Sequence, residues 1–202
     1  MLYMRHRRTF EDDLYNAIEV SYKASKALPP GYQGLANQLQ KLSEMFFARY
    51  ERNEADADLG EAISKATAAV SATTVRRADP VADFNSADGL TLGRMTRSFG
   101  NIWKAVNARS EKPANLADRL SSLSTMLVER YEQGHQGGQD LDSAIASARD
   151  AVEASPPNDP TLASRLEHLG RLLWRRHCVS VDKRDVEELN AVASELENLA
   201  VC

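Results

Sequence analysis

The chain has 202 residues, of which 43% are hydrophobic and 27% charged, proportions that argue against disorder and for a packed core. Its formal net charge of -4 provides no basic footprint for nucleic acid, and no stretch approaches the roughly 18 apolar residues that a bilayer crossing requires. Cys178 and Cys202 are the only cysteines, too few for a disulfide framework or a zinc knuckle, so both are read as free thiols in a reducing compartment, with the cytoplasm the expected location.

In chain order, the N-terminus carries Arg5, Arg7 and Arg8 with no apolar core behind them, which excludes a secretory signal. Next comes DLYNAIEVSYKAS from Asp13, ended by Pro29 and Pro30, and then a longer segment, LANQLQKLSEMFFARYE, from Leu35. In this second segment Leu39, Leu42, Phe46 and Tyr50 are spaced by three and four and share one face of a helix. DLGEAISKATAAV from Asp58 repeats the first kind. After the middle of the chain, the second kind returns as LADRLSSLSTMLVERYE from Leu116 and LASRLEHLGRLLWRRHC from Leu162. Each is followed by the first kind, DLDSAIASARDAV from Asp140 and RDVEELNAVASEL from Arg184.

The two kinds predict two helix types. The long type, helix A, has apolar quartets: Leu120, Leu123, Leu127 and Tyr131 in one copy, and Leu166, Leu169, Leu173 and His177 in the next. A small residue directly after the second leucine (Ser43, Ser124, Gly170) is expected to let a neighbouring helix approach closely. The other type, helix B, opens on an aspartate expected to act as N-cap and carries an alanine face, Ala144, Ala148 and Ala151 in the best copy, before Pro156 and Pro157 stop it. From the first apolar residue of helix B to the next anchor is 25 residues three times: Leu14 to Leu39, Leu59 to Phe84 and Leu141 to Leu166. Recurrence at that constancy marks an internal repeat.

These residues resemble the tetratricopeptide repeat, in which a bulky residue, Leu-Gly and an aromatic mark helix A, and alanines with a closing proline mark helix B. Leu166, Leu169, Gly170 and Leu173 fit the first half; Ala144, Ala148, Ala151 and Pro156 fit the second. Copies recur here at about 45 residues (Leu14 to Leu59, Leu141 to Val186), longer than the family's period, which points to longer loops between helices. The combination of RYE with a following DL-x-x-AI is similar to the extended repeats of fungal signalling-type proteins, arrays that accompany peptidase or NTPase modules absent from these residues. The resemblance implies an all-α fold, an α-solenoid of about four antiparallel helical hairpins forming a single domain over residues 1–202. Repeats are expected at about 1–30, 34–76, 80–112, 113–157 and 160–200. The 80–112 copy is degenerate: it contains Gly89, Gly93 and Gly100, and residues 78–112 fit either an irregular hairpin or one long helix. The opening residues align with the last turns of a helix A, and the chain stops after a helix B, so both ends of the array are expected to be uncapped.

No nucleophile elbow, P-loop, dinucleotide fingerprint or HExxH helix is present, and the four histidines, at 6, 135, 168 and 177, are scattered. His6 and His177 stand at the repeat's tyrosine position, where packing accounts for them. Carboxylate pairs such as Asp12 and Asp13 are accounted for by capping at a helix start. Neither catalysis, a metal nor a cofactor is expected. In the resembled family helix A lines a concave groove that grips peptides or partner helices. Carried over by register, the groove residues are Asn37, Lys41 and Glu44, then Asp118, Ser122 and Thr125, then Ser164, His168, Arg171 and Arg175. The last set is basic and suits an acidic partner. Gln40 and Glu44 occupy positions where the family's chaperone-binding clamp has lysine and asparagine, which disfavours that partner.

The function expected is therefore a non-catalytic protein–protein interaction scaffold, part of a larger protein, with neither nucleic acid nor membrane as partner. Two other readings stand beside it. One is a small-molecule pocket or unusual helical enzyme at the irregular middle segment, near Tyr32, Trp103 and His168; the other is self-assembly into a homo-oligomer through the uncapped ends.

Overall fold

The structure, a computed structural model, describes residues 2–29, 32, 34–78, 116–134, 138–181 and 183–201. Seven helices account for nearly all of them, and no strand occurs among the described residues. They are α1 (Leu2–Ala27), α2 (Leu35–Asn53), α3 (Asp56–Ala78), α4 (Leu116–Glu132), α5 (Gly138–Glu153), α6 (Leu162–Ser180) and α7 (Lys183–Val201). The degenerate repeat at 80–112, with its three glycines, Phe84 and Trp103, lies outside the described residues.

Among the described residues each helix packs on the next described one: α1 on α2, α2 on α3, α3 on α4, α4 on α5, α5 on α6 and α6 on α7. The apolar quartets drive this. Leu42, Leu59, Ile145, Leu166 and Leu173 are essentially inaccessible, and one continuous core joins residues from Ile18 in α1 to Val192 in α7. Burying each large aliphatic side chain contributes about 1.5–3 kcal/mol. Alanines make the close contacts: Ala62, Ala66 and Ala69 of α3, and Ala144, Ala148 and Ala151 of α5, are all 0–2% exposed. A bulkier side chain at any of the six would push two helices apart.

Four expectations are corrected by the coordinates. First, α1 runs unbroken from Leu2 to Ala27, so the junction expected near Asp13 is interior helix, and Asp12 and Asp13 start nothing. Second, only Glu54 and Ala55 separate α2 from α3, and two residues separate α6 from α7. The long spacing between copies is therefore taken up largely by helices of 16 to 23 residues and not by A-to-B loops.

Third, the aspartates expected as N-caps lie inside the first turn. Asp58, Asp140 and Asp185 are buried, and each is gripped by an arginine of the preceding helix. Arg49 Nε donates to Asp58 Oδ2 at 2.7 Å, and Arg130 Nε and Nη2 donate to Asp140 at 2.8 and 2.6 Å. Arg176 donates from Nε and Nη2 to Asp185, which is 0% exposed. The carboxylate sits at the positive end of its own helix as well, so charge and dipole reinforce one another. Hydrogen bonding to Asp185, joined by Asp142, holds the Arg176 guanidinium well above its usual pKa against the opposing effect of burial.

Fourth, the small residue after the second leucine does more than make room. Ser43 Oγ donates to the Ala62 carbonyl and Ser124 Oγ to the Ala144 carbonyl, both at 2.8 Å. In the α6–α7 pair this position is Gly170, facing the Leu189 and Val192 side chains of α7.

Candidate functional site

The three A-type helices, α2, α4 and α6, are joined by side chains that reach from each to the one before. Arg119, nearly fully buried, donates from Nη1 to the Ala36 carbonyl of α2 at 2.6 Å and from Nη2 to Asn37 Oδ1. Arg165 stands at the same place in α6 and repeats the reach: Nη2 donates to Asp118 of α4, while Nη1 donates to Asp159 Oδ2 at 2.6 Å and to Ser155 Oγ. Gln38 is the α2 counterpart, its amide donating to the Ser21 carbonyl of α1 at 3.4 Å. Burial pushes the Arg119 pKa down, opposed by the charges of Glu44 and Asp118. Two buried atoms on this α2–α4 seam, Arg119 Nε and Gln40 Oε1, have no protein partner.

Asp159 organises the entry to α6. It accepts from the Thr161 hydroxyl at 2.7 Å and the Thr161 N–H at 2.9 Å, as well as from Arg165. Those hydrogen bonds, Thr161 first, lower its pKa to about 2.

A second set of contacts ties the far ends. Tyr50 Oη donates to Glu129 Oε1 of α4 at 3.0 Å and accepts from Gln133 Nε2 at 2.8 Å. Burial and the neighbouring Glu129 raise its pKa. Between α4 and α6 the linking group is His168, whose Nε2 lies 3.0 Å from Ser124 Oγ. Because the serine hydroxyl is directed at the Ala144 carbonyl, as its twin Ser43 is at Ala62, the oxygen receives the histidine N–H. His168 thus donates from Nε2 here, and burial, with Arg171 nearby, lowers its pKa.

Against this frame the ten groove residues fall into matching rows. Asn37, Asp118 and Ser164 are each two positions past the helix's first leucine; Lys41, Ser122 and His168 are six past; Glu44, Thr125 and Arg171 are nine past. With Arg175 they form one stripe per helix. Asn37 and Asp118 are the acceptors of the inter-helix arginines. Lys41 and Ser122 are half-buried, and Thr125 is exposed with its hydroxyl on the Ser121 carbonyl. Glu44 is exposed and accepts from Gln40 at 2.9 Å. Ser164 and Arg171 are exposed, and exposed Arg175 pairs with Glu132.

Arg119 and Arg165, which position the stripe, were missed in the sequence reading. The available signal was the arginine standing before the first leucine anchor in both LADRL and LASRL.

Elsewhere, Tyr131, Leu141, Arg149, Arg176 and Glu188 line a cleft of about 780 Å³ between α5 and α7. Arg149 is bound bidentately by Glu188 at 2.8 Å, and Arg176 by Asp185 and Asp142, so its charges are already matched. Of the residues expected around a small-molecule pocket, Tyr32 and His168 are described and Trp103 is not; His6 and His135 side chains also lie outside the described residues. Among the described residues there is no group of three or more His, Cys, Asp or Glu side chains arranged to hold a metal ion, and no helix long and apolar enough to cross a membrane. Comparison with family models, with curated proteins and with solved structures returned no match.

Proposed function

We propose that the chain is a non-catalytic protein–protein interaction scaffold: a tetratricopeptide-like α-solenoid of antiparallel helical hairpins whose A helices offer a groove to an acidic peptide or partner helix. The observation that carries this reading is the stripe on α2, α4 and α6, held in rows by Arg119 and Arg165 and ending in two exposed arginines. A surface ordered in advance loses little conformational entropy on binding, which favours affinity from a modest contact area. Arg171 and Arg175 present guanidinium forks, suited to bidentate recognition of a carboxylate. The Arg175–Glu132 pair is exposed on both sides and weak, within about 0–1 kcal/mol, so an incoming carboxylate displaces it readily. The net charge of -4 supports a protein partner over nucleic acid. The cytoplasm and a place within a larger signalling protein belong to the same reading.

The test is fluorescence anisotropy with a library of labelled peptides rich in Asp and Glu, run on the parent chain and on the double variant Arg171→Glu/Arg175→Glu. Selective binding that the double variant abolishes, with an unchanged thermal midpoint, is expected. Binding indifferent to the charge reversal, or none across the library, would sink the acidic-peptide reading.

A further inference from the structure

The stack leaves one seat open. Wherever an A–B pair is followed by another described A helix, four features of the pair are taken up by that next helix. The alanine face of the B helix is covered: Ala62, Ala66 and Ala69 under α4, and Ala144, Ala148 and Ala151 under α6, all at 0–2% exposure. The small residue of the A helix is met from the next one, Ser43 by Met126 Sδ at 3.4 Å and Ser124 by His168. The side chain twelve past the first leucine, Phe47 or Val128, is half-buried on the core. The polar residue two past it, Asn37 or Asp118, accepts a buried arginine.

At the α6–α7 pair all four are open. The residues in the alanine register are Leu189, Ala193 and Leu196; Ala193 is exposed and both leucines are only half-buried. Gly170 lines, with these residues, an apolar groove of about 370 Å³. Trp174, the counterpart of Phe47 and Val128, is 60% exposed, and Ser164, the counterpart of Asn37 and Asp118, is exposed. Among the described residues no helix lies over them. Two successive pairs and their covering helices specify, by continuity of one interface, what fits the third.

We propose that the α6–α7 groove is a docking site for an amphipathic helix of the same kind as α4 and α6. Its chemistry follows from the register. An arginine directly before the first of two leucines three residues apart reaches the Ala163 carbonyl and Ser164. The apolar face covers Trp174 and Ala193. Helix-in-groove recognition of this sort reads anchors at three- and four-residue spacing. The site meets the stripe of the preceding proposal at Ser164 and Arg171 but is centred off it, on Ala193 and Trp174.

The experiment uses the full chain with Trp103→Phe, so that tryptophan emission reports Trp174 alone, and adds a side-chain-stapled peptide with the sequence of residues 116–132. Binding with a blue shift of Trp174 emission is expected. Ala193→Glu, an exposed position whose change leaves the core intact, weakens binding on the order of tenfold or more by burying an unpaired charge. Arg175→Glu, on the acidic-peptide stripe, leaves it unchanged. Binding without the blue shift, or binding unaffected by Ala193→Glu, overturns the assignment of the site. Absence of binding overturns the proposal. So does a concentration-dependent dimer that Ala193→Glu dissolves, because the occupant is then a second copy of this chain.

Discussion

The α4–α5 and α6–α7 pairs share a register and differ in how they fill it. In α4–α5 a serine hydroxyl bonds to the backbone of an alanine-faced helix, Ser124 to Ala144, and α6 seals the other side. In α6–α7 the serine becomes Gly170 and the alanine becomes Leu189, so volume moves from one helix to the other and the polar contact is lost. Tyr50 of α2 has its hydroxyl held by Glu129 and Gln133, whereas the corresponding positions on α6 are Arg175 and Val179, and Tyr131 of α4 lines the α5–α7 cleft together with Val179. Beyond the arginine–aspartate clamp that all three pairs share, the interior of the stack is thus specified by directional bonds and small side chains, its C-terminal pair by bulk. A repeat conserves its geometry through more than one solution.

The largest expected effect comes from the clamp common to both pairs. Asp140→Ala leaves Arg130 partly buried without its bidentate partner and is expected to cost about 3–5 kcal/mol, the range for breaking a buried ion pair. Asp185→Ala should cost less, because Arg176 retains Asp142 at 2.8 Å. Urea denaturation of both variants measures the gap; equal losses would show that Asp142 contributes nothing.

The covered and open registers are separated more sharply by one substitution made twice. Ala148→Leu forces four heavy atoms' worth of side chain toward α4 and α6 in place of one, and is expected to destabilise by about 1–3 kcal/mol through overpacking. Ala193→Leu, at the equivalent position of α7, enters open space and should stay within about 0.5 kcal/mol of the parent. If both variants lost the same stability in thermal melts, the seat on α6–α7 would not be open.

The α4–α6 seam adds a histidine titration that the α2–α4 seam lacks, since on α4 the uncharged Ser122 stands where His168 does on α6. The folded-state pKa of His168 is depressed, chiefly by burial, so the unfolded chain binds the proton more readily. Its contribution is therefore fully present above about pH 6.5, the unperturbed value, and declines as pH falls below that toward the lowered folded pKa. His168→Gln, which keeps a donor for Ser124, should flatten the thermal midpoint between about pH 7 and pH 5 relative to the parent. A further decline, as pH falls through the folded pKa of Asp159 at about 2, persists in that variant.

How much of this was legible beforehand depends on which forces act over short spans of sequence. The apolar quartets and alanine faces repeat at helical spacing, so the all-α class, the alternation of two helix types and most of the core follow from period alone, as Leu42, Leu127 and Leu173 illustrate. The rows of the candidate stripe were equally readable, being sums of fixed offsets. What could not be read was the pairing of long polar side chains across helices. Arg49 and Asp58 are nine residues apart, and the aspartate's place near a helix start made capping the simpler account. Arg119 and Asn37 are separated by the whole undescribed middle of the chain. Local pattern carries propensity and burial, whereas the partner of a guanidinium is settled by packing that closes over longer distances.

The smallest expected effects concern the middle and the C-terminal end of α6, where glycine stands in a place that does not require it and is missing from one that does. Val181, the residue closing α6, has φ of 54°, a left-handed conformation that is costly for a β-branched side chain, yet its N–H caps the His177 carbonyl at 2.8 Å. At the end of α4 a positive φ of 77° falls on Gly134. Val181→Gly keeps the cap, relieves the strain and removes a side chain already 72% exposed, so a gain of about 1 kcal/mol is expected. Gly170→Ala works in the opposite sense: a Cβ there would meet Val192 Cγ1 at 3.7 Å and Leu189 Cδ2 at 3.9 Å, ordinary contact distances, inside a helix that favours alanine by about 1 kcal/mol. Both gains should appear as upward shifts in thermal midpoint and add in the double variant, since the sites are eleven residues and three turns apart. A loss on Gly170→Ala would mean that α7 sits closer to α6 than its leucines suggest, and that the small residue is needed for approach in this pair as well.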